Sequence, residues 1–137
     1  MANVHTCEAA VLHCIDFRFR RILNTYLSWK LAEGYDLVSV AGGVQRLVSD
    51  PLDSNFVLEQ LKISCRLHEP KAIILIQHED CGAYGGSRNF KSSIAEEEYQ
   101  KGQLSRAKSL LKEQFSQCEV ELYFVRLSGE MISIPSV

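Results

Sequence analysis

Apolar positions in this chain fall into short runs, set apart by longer stretches with helical spacing. Ala9-Ala10-Val11-Leu12-His13-Cys14 predicts a first strand, and Phe17 to about Glu33 predicts a helix that Gly34 stops. Tyr35 to Val40 predicts a second strand, ended by Ala41-Gly42-Gly43, with a short helix from Val44 to Ser49 before Pro51. Asp53 or Ser54 is placed to cap a helix running through about His68. After Pro70, Lys71 to Gln77 has no polar alternation, as expected of a strand covered on both faces. The Gly-rich stretch Gly82 to Gly86 and the polar segment Ser87 to Ser93 predict a loop, the latter part mobile. Leu104, Ala107, Leu111 and Phe115 share one face of a helix within Ile94 to Gln117. Glu119 to Leu127 predicts a fourth strand, Gly129 a turn, and Met131 to Ile134 a short edge strand.

Strands that alternate with helices imply right-handed crossovers and an α/β fold of three layers around a mainly parallel sheet of four to five strands. No linker, repeat or low-complexity tract divides residues 1–137, so one domain is expected. The first helix carries more apolar surface than one core face needs. Phe19, Ile22, Leu23, Tyr26, Leu27, Trp29 and Leu31 spread over roughly 200° of its circumference, which predicts a subunit contact and a homodimer or larger homo-oligomer.

Bulk composition narrows the partners. A net charge of -2 with scattered basic residues gives no electrostatic case for nucleic acid or an anionic membrane. No signal peptide or spanning segment is expected, because the first apolar run is too short. Five cysteines are an odd count, which argues against a complete disulfide framework and for a reducing, cytoplasmic setting.

Candidate chemistry sits at two strand ends. Cys14-Ile15-Asp16-Phe17-Arg18 follows the first strand, and His78-Glu79-Asp80-Cys81-Gly82 follows the third. Two thiolates and an imidazole suit zinc, and three protein ligands leave a fourth position open, as in a catalytic site. Sites in such sheets lie beyond the carboxyl ends of strands where strand order reverses, so both groups meet if the two strands are neighbours. Asp80, lying between His78 and Cys81, is expected to hydrogen-bond a ligand rather than join the metal. Cys7, Cys65 and Cys118 lack ligand spacing, and His5, His13 and His68 are expected to be structural or solvent-facing. The run Glu96-Glu97-Glu98 predicts a solvated helix start. The Gly82 to Gly86 loop lacks the Lys-Ser/Thr ending of a P-loop, and no G-x-G-x-x-G follows the first strand.

Cys14-x-Asp16-x-Arg18 followed by His78-x-x-Cys81-Gly82 resembles the β-class carbonic anhydrases. Ala41-Gly42 sits where that family has an Ala-Gly turn, and Tyr123 to Glu130 resembles its last strand and turn. The resemblance implies a β-carbonic-anhydrase-like, Rossmann-like fold and reversible hydration of CO2 to bicarbonate by a zinc-bound hydroxide. It implies Zn2+ on Cys14, His78 and Cys81, with Asp16 either in the fourth position or releasing it to water. Arg18 would hold Asp16 off the metal, the two forming the catalytic pair. Phe17, Val40, Gly42, Gly43 and Tyr84 would line the substrate pocket. The chain departs from the family at Ile15 and Phe17, where small polar residues are usual, and at Ser39, Val40 and Gly43, which replace Arg-Asn before and Asn after the turn. At 137 residues it is shorter than typical members, and the expectation is that it lacks the N-terminal helical arm that in the family helps form the dimer. An apolar rim of this kind (Phe17, Val40) suits CS2 or COS hydrolysis on the same zinc, or equally a weak hydratase; the alternative from another class is a zinc-binding protein that kept the site and lost turnover.

Overall fold

The unalternating run ahead of His78 lies at the centre of the sheet. The structure, a computed structural model, describes residues 5–51 and 55–135. Five strands, β1 (Ala9–His13), β2 (Tyr35–Ser39), β3 (Ala72–His78), β4 (Glu119–Val125) and β5 (Met131–Ile134), stand in the order β2-β1-β3-β4-β5. All neighbours are parallel except β4 and β5, which pair as an antiparallel hairpin through Gly129. The expected three-layer, mainly parallel sheet is therefore present.

Period-2 alternation within the strands divides the core in two. Ala10, Leu12, Ile73, Leu75, Val120, Leu122 and Phe124 face α2 (Gln45–Ser49), α3 (Phe56–His68) and α4 (Ser93–Gln114). Ala9, Val11, Ile74, Ile76, Tyr123 and Val125 face α1 (Arg20–Lys30). One helix covers that second face through Leu23 and Leu27, while Trp29 points outward at 76% exposure.

Several boundaries differ from the sequence reading for local reasons. The first helix opens as a 3-10 turn over Phe17–Phe19, because the Asp16 carboxylate accepts the Arg18 N–H and tightens the entry. Helix α3 is capped by Asn55, whose side chain accepts the Leu58 N–H; Asp53 and Ser54 lie outside the described residues. The segment Ser87 to Ser93 is tied down rather than loose. It holds a 3-10 turn at Ser87–Asn89, Ser87 N–H donates to Asp80, and Ser92 caps α4.

Strand order reverses between β1 and β3. Chain leaving β1 crosses to β2 on one side, while β3 lies on the other. Their carboxyl ends carry Cys14 and His78, so the crevice expected at a reversal opens where the candidate ligands stand.

Candidate metal centre

Cys14, His78 and Cys81 meet in that crevice. One donor atom from each lies within 4.8 Å of the other two, and all three residues are buried. The two thiols are 3.9 Å apart. His78 Nδ1–H donates to the Glu79 carbonyl at 2.7 Å, which leaves Nε2 bare. That Nε2 is buried and has no hydrogen-bond partner. An imidazole so fixed, with its free nitrogen aimed at two thiols, matches the way ligating histidines are oriented. Phe19 packs against the ring, with centroids 4.4 Å apart. These residues fit a divalent metal taking two sulfurs and one nitrogen.

Charge is already arranged for it. The hydrogen bond shared with Cys81 holds the Cys14 thiol down to about 3, against the cost of burial. Cys81 is pushed the other way by the Cys14 thiolate and by burial. The Gly42 N–H also donates to Cys14 Sγ at 3.4 Å. The turn that presents this N–H is pinned by Gln77, a buried residue to which the sequence reading gave no role. Gln77 Oε1 accepts the Val44 N–H, and its amide donates to the Gly42 carbonyl and to Gln100. Gly43 sits at φ +57, and a Cβ there would strike Gln77 Oε1, so only glycine leaves that brace in place.

Asp16 and Arg18 form the rim. Arg18 Nη2 donates to Asp16 Oδ2 at 2.6 Å, and Nε reaches Oδ1 at 3.1 Å. The same guanidinium donates to the Asp80 carboxylate at 3.0 Å and to its carbonyl at 2.9 Å. Arg18 holds the Asp16 carboxyl down to about 2, and in return its own proton is held more tightly by Asp16 and Asp80. Asp16 Oδ2 stands 3.9 Å from His78 Nε2 and is not part of the three-donor cluster. One carboxylate thus caps the 3-10 turn and faces the donors as well. Asp80 orients Arg18 rather than a donor residue, from a left-handed backbone conformation at φ 62 that Asp tolerates.

Glu96 corrects the expected solvated helix start. It is 1% exposed and accepts the Asp80 N–H at 2.7 Å and the Ser87 hydroxyl at 2.8 Å. No local pattern marks it, because its partners lie in the loop after β3. Glu96→Ala strands both donors in the interior, and we expect a loss of about 2–3 kcal/mol, read as a lower urea midpoint at unchanged slope.

The cleft above the donors has a volume of about 680 Å³. Cys14, Ile15, Asp16, Phe17, Arg18 and Ala41 line one wall, and Asp80, Gly82, Ala83, Gly85 and Gly86 contribute the other. Phe17 is 82% exposed on its lip. Val40, Gly42, Gly43 and Tyr84 stand outside this lining: Val40 packs on the core, and the Tyr84 hydroxyl turns inward to Gln77 and Gln103.

A family model described as putative carbonic anhydrase matches residues 4–134. The chain belongs to this family. An uncharacterized protein of Rickettsia conorii is 24% identical over 145 residues, spanning 99% of this chain and 78% of that protein. One from Rickettsia bellii is 26% identical over 135 residues, spanning 94% of this chain and 82% of its own length. The fold is shared with crystal structures of β-carbonic anhydrases. That of isoform I from Trichomonas vaginalis aligns with a TM-score of 0.61 at 13% identity, over 98% of this chain and 85% of that one. That from Aspergillus fumigatus gives 0.53 at 17% identity, over 97% and 77%. This carbonic-anhydrase-like chain therefore joins the family's fold to a Cys-His-Cys donor set whose rim carries exposed Ile15 and Phe17 beside Asp16 and Arg18. Among the described residues, no helix is long and apolar enough to cross a membrane.

Proposed function

We propose that the chain is a zinc-dependent carbonic anhydrase, interconverting CO2 and bicarbonate. The bare, buried Nε2 of His78 facing two thiols carries this reading. Cys14, His78 and Cys81 would hold the ion beside the cleft. Zinc, when bound, lowers the pKa of a water to about 7 and so supplies hydroxide at neutral pH. Arg18 holds Asp16 beside those donors, ionised at any working pH. From there the carboxylate would accept a hydrogen bond from the nucleophile and so orient it toward CO2. The apolar lip, Phe17 and Ile15, excludes competing solvent and offers CO2 a surface without donors.

The test is stopped-flow CO2 hydration at mildly alkaline pH, with zinc-quantified protein beside Asp16→Ala. We expect a rate far above buffer that collapses in the variant. Full zinc occupancy without a rate would end the hydratase reading. The same exposed lip favours a second one, hydrolysis of CS2 or COS, whose apolar ends need no donor at the rim. A zinc protein without turnover would fail both assays.

We also propose that α1 makes a homodimer or larger assembly in a reducing, cytoplasmic setting. Trp29 stands exposed beside a shallow groove lined by Ile22, Tyr26 and Met131. Light scattering that returns the monomer mass at micromolar concentration would end the oligomer proposal.

A further inference from the structure

A second group of donor atoms stands at the opposite end of the sheet. Cys7 lies just ahead of β1, Asp36 is the second residue of β2, and His68 ends α3. The register Ala10↔Asp36 sets this group near the amino ends of the strands, whereas Cys14 follows their carboxyl ends. At about 3.3 Å per residue, the seven residues from Cys7 to Cys14 separate the two centres by roughly 20 Å.

One donor atom each from Cys7, Asp36 and His68 lies within 4.8 Å of the other two. His68 Nδ1 contacts Asp36 Oδ2 at 2.6 Å, and the Ser64 hydroxyl donates to the same oxygen at 2.7 Å. Cys7 is anchored by its own N–H, which donates to the His68 carbonyl at 3.0 Å. On the outer side, His68 Nε2 meets His5 Nε2 at 3.1 Å, with the rings edge to face. The sequence expectation, in which Cys7 shares no ligand spacing with Cys65 or Cys118 and His5 and His68 are structural or solvent-facing, does not reveal this convergence. The three donors are far apart in sequence and meet only through strand pairing and the end of α3.

An ion pair between Asp36 and His68 accounts for two of these residues. It does not account for a second histidine fixed behind the first, nor for a thiol at the same point whose own hydrogen bond is a long one to the Ala9 carbonyl at 3.4 Å. We propose that Cys7, Asp36 and His68 form a second site for a divalent transition metal of the zinc and cobalt class. Sulfur, oxygen and nitrogen donors together suit such borderline ions. A thiolate and a carboxylate supply two negative charges, which a divalent ion balances. His68 gives Nδ1 to the ion and keeps its proton on Nε2, donated to His5. That is the outer hydrogen bond that ligating histidines keep. Binding releases the Cys7 thiol proton, together with any proton on His68 Nδ1, and breaks the direct Asp36–His68 contact. All three donors are half-buried, so water completes the shell. The ion ties the segment at His5–Cys7 to β2 and to the end of α3. Its effect is on stability, and it does not depend on what the cleft catalyses.

The full chain, stripped with a chelator, is titrated with cobalt(II) chloride while thiolate absorption and bound metal are followed. Wild type is expected to take two equivalents at micromolar metal, the second raising Tm. Cys7→Ser and His68→Ala are each expected to take one and to lose that second rise, with circular dichroism unchanged. Cys14→Ser/Cys81→Ser is expected to keep the equivalent that Cys7→Ser loses. Saturation of the wild type at one equivalent overturns the proposal. So does a second equivalent that survives both Cys7→Ser and His68→Ala.

Discussion

Cys81→Ser is expected to lose zinc from the cleft and reduce CO2 hydration to the buffer rate while leaving the sheet folded. Serine replaces sulfur almost isosterically, so the loop after β3 keeps its anchors: Glu79 N–H on the Val125 carbonyl and Asp80 N–H on Glu96. What changes is the donor. A thiolate is available near neutral pH, whereas a serine hydroxyl keeps its proton and ligates zinc poorly. Two protein donors then remain, Cys14 and His78, too few for a tight structural or catalytic zinc. Cys118→Ser is the matched control. Its thiol is also buried, but it donates to the Pro70 carbonyl far from the cleft, so metal content and rate should both hold. Bound zinc by elemental analysis, set beside the stopped-flow rate, checks both variants. A Cys81→Ser protein with one zinc in the cleft and full rate would remove the three-donor centre.

Arg18→Ala should cost roughly 100-fold in kcat/KM with little change in folding stability. The guanidinium holds Asp16 by two of its nitrogens and Asp80 by two more contacts, and these fix the carboxylate beside the donors. Without them Asp16 is free to rotate into the donor cluster, from which Oδ2 is separated by only 3.9 Å at His78 Nε2. A misplacement of about 1 Å is enough to cost two orders of magnitude in rate. The ion pair is partly solvated, so its loss should lower stability by less than about 1 kcal/mol. Arg18→Lys restores charge without the planar fork and should recover only part of the rate. The distinguishing readout is azide binding to the cobalt-substituted protein. Asp16 occupying the open position would weaken azide in Arg18→Ala, whereas simple loss of a positive charge at the rim would be reversed by Arg18→Lys. Equal azide affinity in all three proteins would reject the positioning role.

The fold was legible because its signals are local. Lys71 to Gln77 lacks polar alternation, and Gly34 and Pro70 punctuate the chain where elements change. The donors were legible because Cys14, His78 and Cys81 sit at the ends of the two most readable strands. What escaped depends on distant partners. Glu96 looked solvated because nothing within α4 reveals the Asp80 N–H above it, and Gln77 looked like an ordinary strand end because its partners lie around residues 42 to 44 and 100. Asn55 lost the cap to Asp53 or Ser54 in the sequence reading because all three residue types suit that position. Cys7, Asp36 and His68 share no spacing at all, and only the pairing of β1 with β2 and the packing of α3 unite them.

The division between buried donors and an exposed lip bears on how such a chain diversifies. Cys14, His78 and Cys81 are embedded at strand ends, where a change of size disturbs the packing as well as the donor set. Ile15 and Phe17 alternate with Cys14, Asp16 and Arg18 along the same loop, yet they stand out in solvent and support little of the core. Selection can therefore rewrite what the cleft admits one side chain at a time, at almost no cost in stability, while the buried donor set is inherited unchanged. Divergence in this branch should accumulate at those alternate positions first.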